Sequence, residues 1–198
     1  MTTPDDAKID SRPGERDAEP EAGPALLRSW LARAAREFPD KPYVVAVEDG
    51  RTITYGELDR LARAIRANLA ARGIGADGRV ALLANNSPEH LAVYVGVLAA
   101  GATICTVHVE MNRSYFDDIL PALAPRLVIC EEGLGLESLA PKTKAPWRPL
   151  GRWRADGGDG FFADLAAAAP AAAAVEGGAR NDAVIFFTSG TSAKPKGE

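Results

Sequence analysis

Histidine and cysteine are scarce, with two of each in 198 residues. Cys105 and Cys130 lie near or within apolar runs and share no metal-ligand spacing, so the simplest expectation for both is a buried, reduced core position. His90 falls in a predicted helix and His108 just after a predicted strand. Neither forms a triad or metal pattern with the cysteines, and a structural or solvent-facing role is expected for each. An excess of positive charge is also missing: 23 Lys and Arg stand against 27 Asp and Glu, a formal net charge of −4. A nucleic-acid surface needs a basic patch, so no DNA or RNA partner is expected. No apolar stretch is long enough to span a bilayer. The N-terminus, with Asp5, Asp6, Asp10, Glu15, Asp17, Glu19 and Glu21, lacks the basic and apolar regions of a signal peptide. A cytoplasmic location is the default expectation.

The composition that remains is that of a folded protein. Hydrophobic residues make up 46% and charged residues 25%, ordinary values for a globular chain, and the length suffices for one core but is marginal for two. Residues 1–22 are too polar to offset the entropy of ordering. They are expected to form a disordered acidic tail, leaving residues 23–198 as the folded part.

From Pro24 onward the pattern changes. Leu26, Leu27, Trp30, Leu31, Ala34 and Phe38 fall on one helical face, and Pro39 with Pro42 ends that helix. Residues 43–47 and 51–54 read as two short strands around Glu48-Asp49-Gly50, a hairpin signal. Thr54 followed by Glu57 fits a capping box, in which hydroxyl and carboxylate each satisfy an orphan backbone N–H. The helix it opens carries Leu58, Leu61, Ala62, Ile65 and Leu69 on one face and stops before Gly73. Residues 80–83 form a short buried strand, and Ser87-Pro88 supplies an N-cap and a first-turn proline for an apolar helix reaching Ala100, with Gly101 as its stop. Residues 102–107 form the next strand. Ser114 starts a helix with Phe116, Ile119, Leu120 and Leu123 inward, and residues 126–130 follow as a strand.

This alternation predicts an α/β fold: a mainly parallel sheet built by βαβ crossovers, with helices on both faces. Between residues 141 and 179 the periodicity is lost. A variable connection is expected there, with a short helix over residues 161–169 and Pro170 breaking any longer one. Gly73-Ile74-Gly75-Ala76-Asp77-Gly78 matches the Gly-x-Gly-x-x-Gly string of dinucleotide-binding proteins. It follows a helix and precedes a strand, the reverse of the required order, so it reads as a helix-to-strand turn.

The densest chemistry is C-terminal. The apolar run of residues 183–187 opens into Thr188-Ser189-Gly190-Thr191-Ser192-Ala193-Lys194-Pro195-Lys196-Gly197. Backbone N–H groups, hydroxyls and ammonium charge together are what a polyphosphate requires. An ordinary P-loop fails twice here, because Pro195 stands where it needs glycine and Gly197 where it needs Ser or Thr. A plain Gly/Ser/Thr surface turn is the bland alternative, although Lys-Pro-Lys-Gly after a hydroxyl-rich turn and a buried-type strand is not generic turn chemistry.

This string resembles the phosphate loop of the acyl-adenylate-forming superfamily, which includes acyl-CoA synthetases, firefly-type luciferases and the adenylation domains of peptide synthetases. Ile53-Thr54-Tyr55-Gly56-Glu57-Leu58 is similar to that family's early Thr-Tyr-x-Glu-Leu motif. Val97-Leu98-Ala99-Ala100-Gly101-Ala102 is similar to its Leu-x-Ala-Gly-Ala motif. In one respect the chain departs from the pattern: Ala193 stands where the family usually has glycine, and a Cβ there is costly if the backbone needs positive φ.

The resemblance implies the incomplete N-terminal portion of an acyl-adenylate-forming enzyme. A carboxylate attacks the α-phosphate of Mg-ATP, pyrophosphate leaves, and a thiol, commonly coenzyme A, takes the acyl group. By position, Thr188, Ser189, Gly190, Thr191 and Ser192 would wrap the β- and γ-phosphates and Lys196 would add a point charge, with Lys194 solvated. ATP, Mg2+ and coenzyme A are thus implied for the complete enzyme, together with a carboxylic acid substrate. No residue of this chain is assigned a catalytic or metal-binding role. The adenine and ribose segments, the magnesium carboxylate and the catalytic lysine would lie beyond Glu198, with no following helix or strand to hold the loop. The expectation is an N-terminal fragment of an AMP-forming carboxylate-CoA ligase, inactive alone. Two alternatives remain open: an adenylation domain of the peptide-synthetase type, and a non-catalytic binding or interaction fragment.

Overall fold

The computed structural model describes residues 27–154, 159–167, 183–188 and 196–197. Helix α1 (Leu27–Glu37) leads into an antiparallel hairpin of β1 (Pro42–Val45) and β2 (Thr52–Thr54). Helix α2 (Tyr55–Ala71) follows, then β3 (Arg79–Leu83), α3 (Pro88–Ala100), β4 (Thr103–Thr106), α4 (Arg113–Leu123) and β5 (Leu127–Cys130). After a 3-10 turn at Glu137–Lys142 come β6 (Trp147–Pro149), α5 (Phe161–Ala167), β7 (Val184–Thr188) and β8 (Lys196–Gly197). The main sheet has the order β6-β5-β3-β4-β7-β8, parallel from β6 to β7, with β8 antiparallel at the edge.

Successive side chains of a strand point to opposite faces, and the sheet divides its core accordingly. Val80, Leu82, Ile104, Leu127 and Ile129 face a core shared with α1, α2, α3 and α5. Ala81, Leu83, Cys105, Val128 and Cys130 face a second core shared with α4 and the 3-10 turn. Both faces are therefore covered, as continuous apolar strands require. Cys105 pairs with Ala81 and Cys130 with Leu83 on opposite flanks of β3. Two strand spacings of about 4.8 Å separate them laterally, too far for a disulfide. Burial pushes both thiols up to about 12, which keeps them protonated and unreactive.

The expected helix boundaries are explained by their caps. Thr54 Oγ1 accepts from Glu57 N–H at 3.3 Å, and Glu57 Oε2 accepts from Thr54 N–H at 3.0 Å, completing the capping box. Thr54→Ala should lower stability by about 1 kcal/mol, measured as the urea midpoint, with Thr54→Ser restoring most of it. A loss no larger in Thr54→Ala than in Thr54→Ser would show that the cap contributes nothing. At the end of α3, Gly101 adopts φ 80. Its N–H donates to Leu98 C=O at 2.9 Å while Ala102 N–H donates to Val97 C=O at 3.3 Å, the two bonds of a Schellman ending. The glycine-rich stretch at residues 73–78 is the turn from α2 into β3, and Gly73 takes φ 66.

Four features differ from the sequence expectation. Of the residues expected on one face of α1, Leu31 is buried, whereas Trp30 is 58% and Phe38 52% exposed and Leu27 is also exposed; Leu26 lies outside the described residues. Ala34 of that face is half-buried, and so are Arg28, Ala32 and Ala35 from outside it. Small side chains let helices approach closely, and α1 packs inward through Leu31 and its alanines while Trp30 and Leu27 stay exposed. Strand β6 was not legible, because prolines at 146 and 149 suppress a strand pattern that edge positions tolerate. Helix α4 begins one residue early, at Arg113, because Asn112 caps it: Asn112 Oδ1 accepts from Ser114 N–H at 3.1 Å. Finally, the phosphate-loop run itself ends in a short strand, β8.

Candidate phosphate-binding edge

Parallel strands present their C-terminal ends on one edge of the sheet, and in open α/β sheets ligands bind outside that edge where strand order reverses. Here β3 connects through α3 to β4 on one side, and β4 connects through α4 to β5 on the other side of β3. The reversal flanks β3. The segments following β3 and β4, residues 84–91 and 106–108, therefore open onto this edge, and so does the end of β7.

Strand β7 is placed by its register with β4: Ile104 opposite Val184, Cys105 opposite Ile185, and Thr106 opposite Phe186. Ile185 and Phe187 pack on the α4 side and Val184 on the α3 side. Phe186 points to the α3 side beyond the end of the helical cover and is 51% exposed. It lines an open cleft of about 530 Å3 whose other walls include Val45, Val47, Leu91, Tyr94 and Thr106, with Asn86 and His90 as polar members. The cleft is mostly apolar with a few polar groups, the usual make-up of a small-molecule site.

The hairpin wall of the cleft is fixed by a buried carboxylate. Glu89, in the first turn of α3 and 4% exposed, accepts from the Arg51 guanidinium and from Trp153 N–H at 3.1 Å. Arg51 Nε also donates to Asp49 Oδ2 at 2.6 Å, and Arg152 reaches the same oxygen at 3.0 Å. Hairpin, α3 and the segment at 151–154 are thereby tied together. On the opposite side Glu131 Oε2 accepts from Asn85 N–H at 2.7 Å, holding the chain as it leaves β3.

His90 completes this edge. Its backbone N–H donates to Ser87 Oγ at 3.0 Å, the N-cap bond of α3, and its ring Nδ1 donates to Ala84 C=O at 3.2 Å. Burial holds the imidazole below the ordinary histidine range, a shift that hydrogen bonds to the carbonyls of Ala84 and Asn85 only partly counter. The folded state thus prefers neutral His90. Its contribution to stability is fully present above the unfolded value of 6.5 and is lost as pH falls below it, because the unfolded chain takes up the proton first. Urea midpoints between about pH 7.5 and pH 5 should fall less steeply in His90→Gln than in the parent. Equal slopes would rule out this linkage.

Of the six residues predicted to hold phosphate, Thr188 is the last residue of β7 and Lys196 the first of β8. They are direct cross-strand partners, as are Phe187 and Gly197. Eight positions apart in sequence, Thr188 and Lys196 have Cα atoms brought to roughly 4.5–5.5 Å by the ladder. Strands β7 and β8 thus form an antiparallel pair at the C-terminal edge. Ser189, Gly190, Thr191 and Ser192, with Ala193 and Lys194, lie outside the described residues. The cleft residues Phe186, His90, Thr106 and Asn86 were not recognised from sequence: each belongs to a different element, and only the sheet order brings them together. Among the described residues no group of three His, Cys, Asp or Glu is arranged to hold a metal ion, and no helix is long and apolar enough to cross a membrane.

Comparison with known proteins agrees with this architecture. Malpinin synthetase of Mortierella alpina is 31% identical over 187 residues, covering 87% of this chain and 2% of that protein. CymA of Salinispora arenicola, a probable nonribosomal peptide synthetase, is 30% identical over 199 residues, covering 100% of this chain and 2% of its own. A solved Mycobacterium tuberculosis fatty acyl CoA synthetase superposes with a TM-score of 0.71 at 24% identity, covering 87% of this chain and 34% of the synthetase. This chain therefore spans a small part of the length of those relatives and about a third of the solved synthetase. The family model described as AMP-binding enzyme matches residues 31–197, so the chain belongs to the family of AMP-binding enzymes.

Proposed function

We propose that residues 23–198 supply the N-terminal portion of an ATP-dependent, AMP-forming carboxylate-CoA ligase acting in the cytoplasm, and that residues 188–192 with Lys196 cradle the pyrophosphate end of the nucleotide. The observation that carries this reading is the β7–β8 hairpin. It sets Thr188 opposite Lys196 at the C-terminal edge of the parallel sheet, beside the cleft lined by Phe186.

The first step forms a bond between a carboxylate oxygen of the acid and the α-phosphorus, while the bond from that phosphorus to the bridging oxygen breaks. Pyrophosphate departs with the bonding pair and its negative charge grows. The contribution proposed for the chain is positioning and charge stabilisation: backbone N–H and hydroxyl donors of residues 188–192 would offset charge on the β- and γ-phosphates, and the Lys196 ammonium would add a positive charge. Magnesium accompanies the nucleotide and is assigned no ligand on this chain. In the second step a thiolate attacks the acyl carbon and AMP leaves.

The assay is carboxylate-dependent exchange of labelled pyrophosphate into ATP. The complete enzyme should support exchange, and this chain alone should not. Exchange by the isolated chain that exceeds a no-enzyme control and scales with protein would overturn the fragment reading. A second reading, an adenylation domain of a peptide synthetase, is supported by the peptide-synthetase relative. Supplying coenzyme A or a phosphopantetheinylated carrier domain to the preformed adenylate, and measuring AMP release with each, separates the two.

A further inference from the structure

Away from this edge, α1 and α2 form a groove of about 430 Å3 lined by Arg28, Ser29, Arg36, Asp59, Arg63 and Arg66. Four guanidinium groups face a single carboxylate, and that carboxylate is engaged: Asp59 accepts from Arg63 at 2.6 Å. Arg28, Arg36 and Arg66 make no ion pair among the described residues. Arg28 and Arg66 are held there by packing, since both are half-buried. Like charges gathered in a half-enclosed groove repel one another and raise the local affinity for anions.

The chain carries its own complement. Residues 1–22 include seven acidic and three basic side chains, a formal −4 equal to the whole chain's formal net charge. The acidic residues nearest α1 are Glu15, Asp17, Glu19 and Glu21. Glu21 precedes Leu27 by six positions, a reach of up to about 20 Å when extended. Arg28 and Arg36 are separated by roughly 12 Å along the helix axis. Gly23-Pro24, between Glu21 and Leu27 in sequence, is a turn-favouring dipeptide. A short tether also confers an effective concentration in the millimolar range, so weak individual pairs suffice.

We propose that the arginine-lined groove between α1 and α2 is a binding site for an acidic peptide segment, and that its occupant is the stretch of residues 15–21 of the same chain. Binding is electrostatic, which makes it sensitive to salt.

The test uses the full 198-residue chain. Cys105 and Cys130 are buried, so a spin label placed through Ser11→Cys reports on the acidic segment alone. Amide signals along α1 and at residues 59–66 of α2 should broaden at low salt, while those around residues 131–136, across the molecule, remain sharp. The broadening should be lost in about 0.5 M NaCl, where the Debye length falls to a few ångströms. It should also be lost in the variant Glu15→Gln, Asp17→Asn, Glu19→Gln, Glu21→Gln, which leaves the folded part untouched, and in Arg28→Gln, Arg36→Gln, Arg66→Gln. Broadening that is uniform over the surface, or that survives neutralisation of the four acids, would overturn the proposal. So would its absence at low salt. Because the readout is independent of adenylation, it stands or falls separately from the proposed enzymatic role.

Discussion

Gly96→Ala is expected to destabilise the protein by about 1–3 kcal/mol, although alanine is the better helix former by about 1 kcal/mol. The reason is the contact between α2 and α3. A Cβ built on Gly96 would lie 2.4 Å from Ile65 Cδ1, 2.9 Å from Ile65 Cβ and 3.0 Å from Ile65 Cγ2. Rotating the isoleucine moves Cδ1 away but leaves its Cβ in place, so one helix has to shift. Ile65 is 0% exposed, and a close-packed interior offers no free volume for that shift. The overlap therefore outweighs the gain in propensity. Ile65→Ala alone should cost about 2–5 kcal/mol through lost burial and a cavity. In the double variant the new methyl partly fills that cavity, so the combined loss should be smaller than the sum of the two. Urea unfolding of the four proteins measures the coupling. Strict additivity, or a Gly96→Ala protein more stable than the parent, would show that the helices are not in the contact described.

The largest effect on activity is expected at Lys196. In the complete enzyme, Lys196→Ala should slow adenylate formation by roughly ten- to a hundred-fold, the rate equivalent of losing one charge-assisted donor worth about 1.5–3 kcal/mol. The later thiol step should change far less, since pyrophosphate has already gone. Lys194→Ala is the internal control. It removes the same charge from the run of residues 188–196 but not from the position opposite Thr188, which the β7–β8 pairing gives to Lys196. Pyrophosphate exchange reports the first half-reaction, and thiol-dependent AMP release from preformed adenylate reports the second. Equal losses at Lys194 and Lys196, or a defect confined to the thiol step, would mean that this hairpin is not the pyrophosphate cradle. Ala193→Gly in the same assays should leave activity unchanged or raise it.

Elements governed by local interactions were legible. The capping box at Thr54 and Glu57, the N-cap at Ser87 with Pro88, and the glycine ending at Gly101 each involve residues within a few positions of one another, so their chemistry is written in short strings. The buried face of α2 was equally plain, because Leu58, Leu61, Ile65 and Leu69 repeat at helical spacing and all four are buried. The rotation of α1 was not. Its sequence groups Leu27 and Trp30 with Leu31, and only the surface that α1 packs against decides that Leu31 is buried among alanines while the other two stay exposed. Strand β6 was hidden for a related reason: a proline-containing triplet becomes a strand only when β5 has a free edge to lend it.

The same division holds for the candidate site. The amino-acid sequence by itself determined the alternating α/β plan and the hydroxyl, glycine and lysine content of residues 188–196, because periodicity and residue chemistry are properties of the chain. Tertiary structure alone decided that β7 lies beside β4, that Lys196 returns to face Thr188, and that Phe186 joins Val45, Tyr94 and His90 in one cleft. Those contacts join residues up to 141 positions apart, from Val45 to Phe186. Their partner choice depends on which sheet edge remains free once the inner strands have paired, and no local string of residues carries that information.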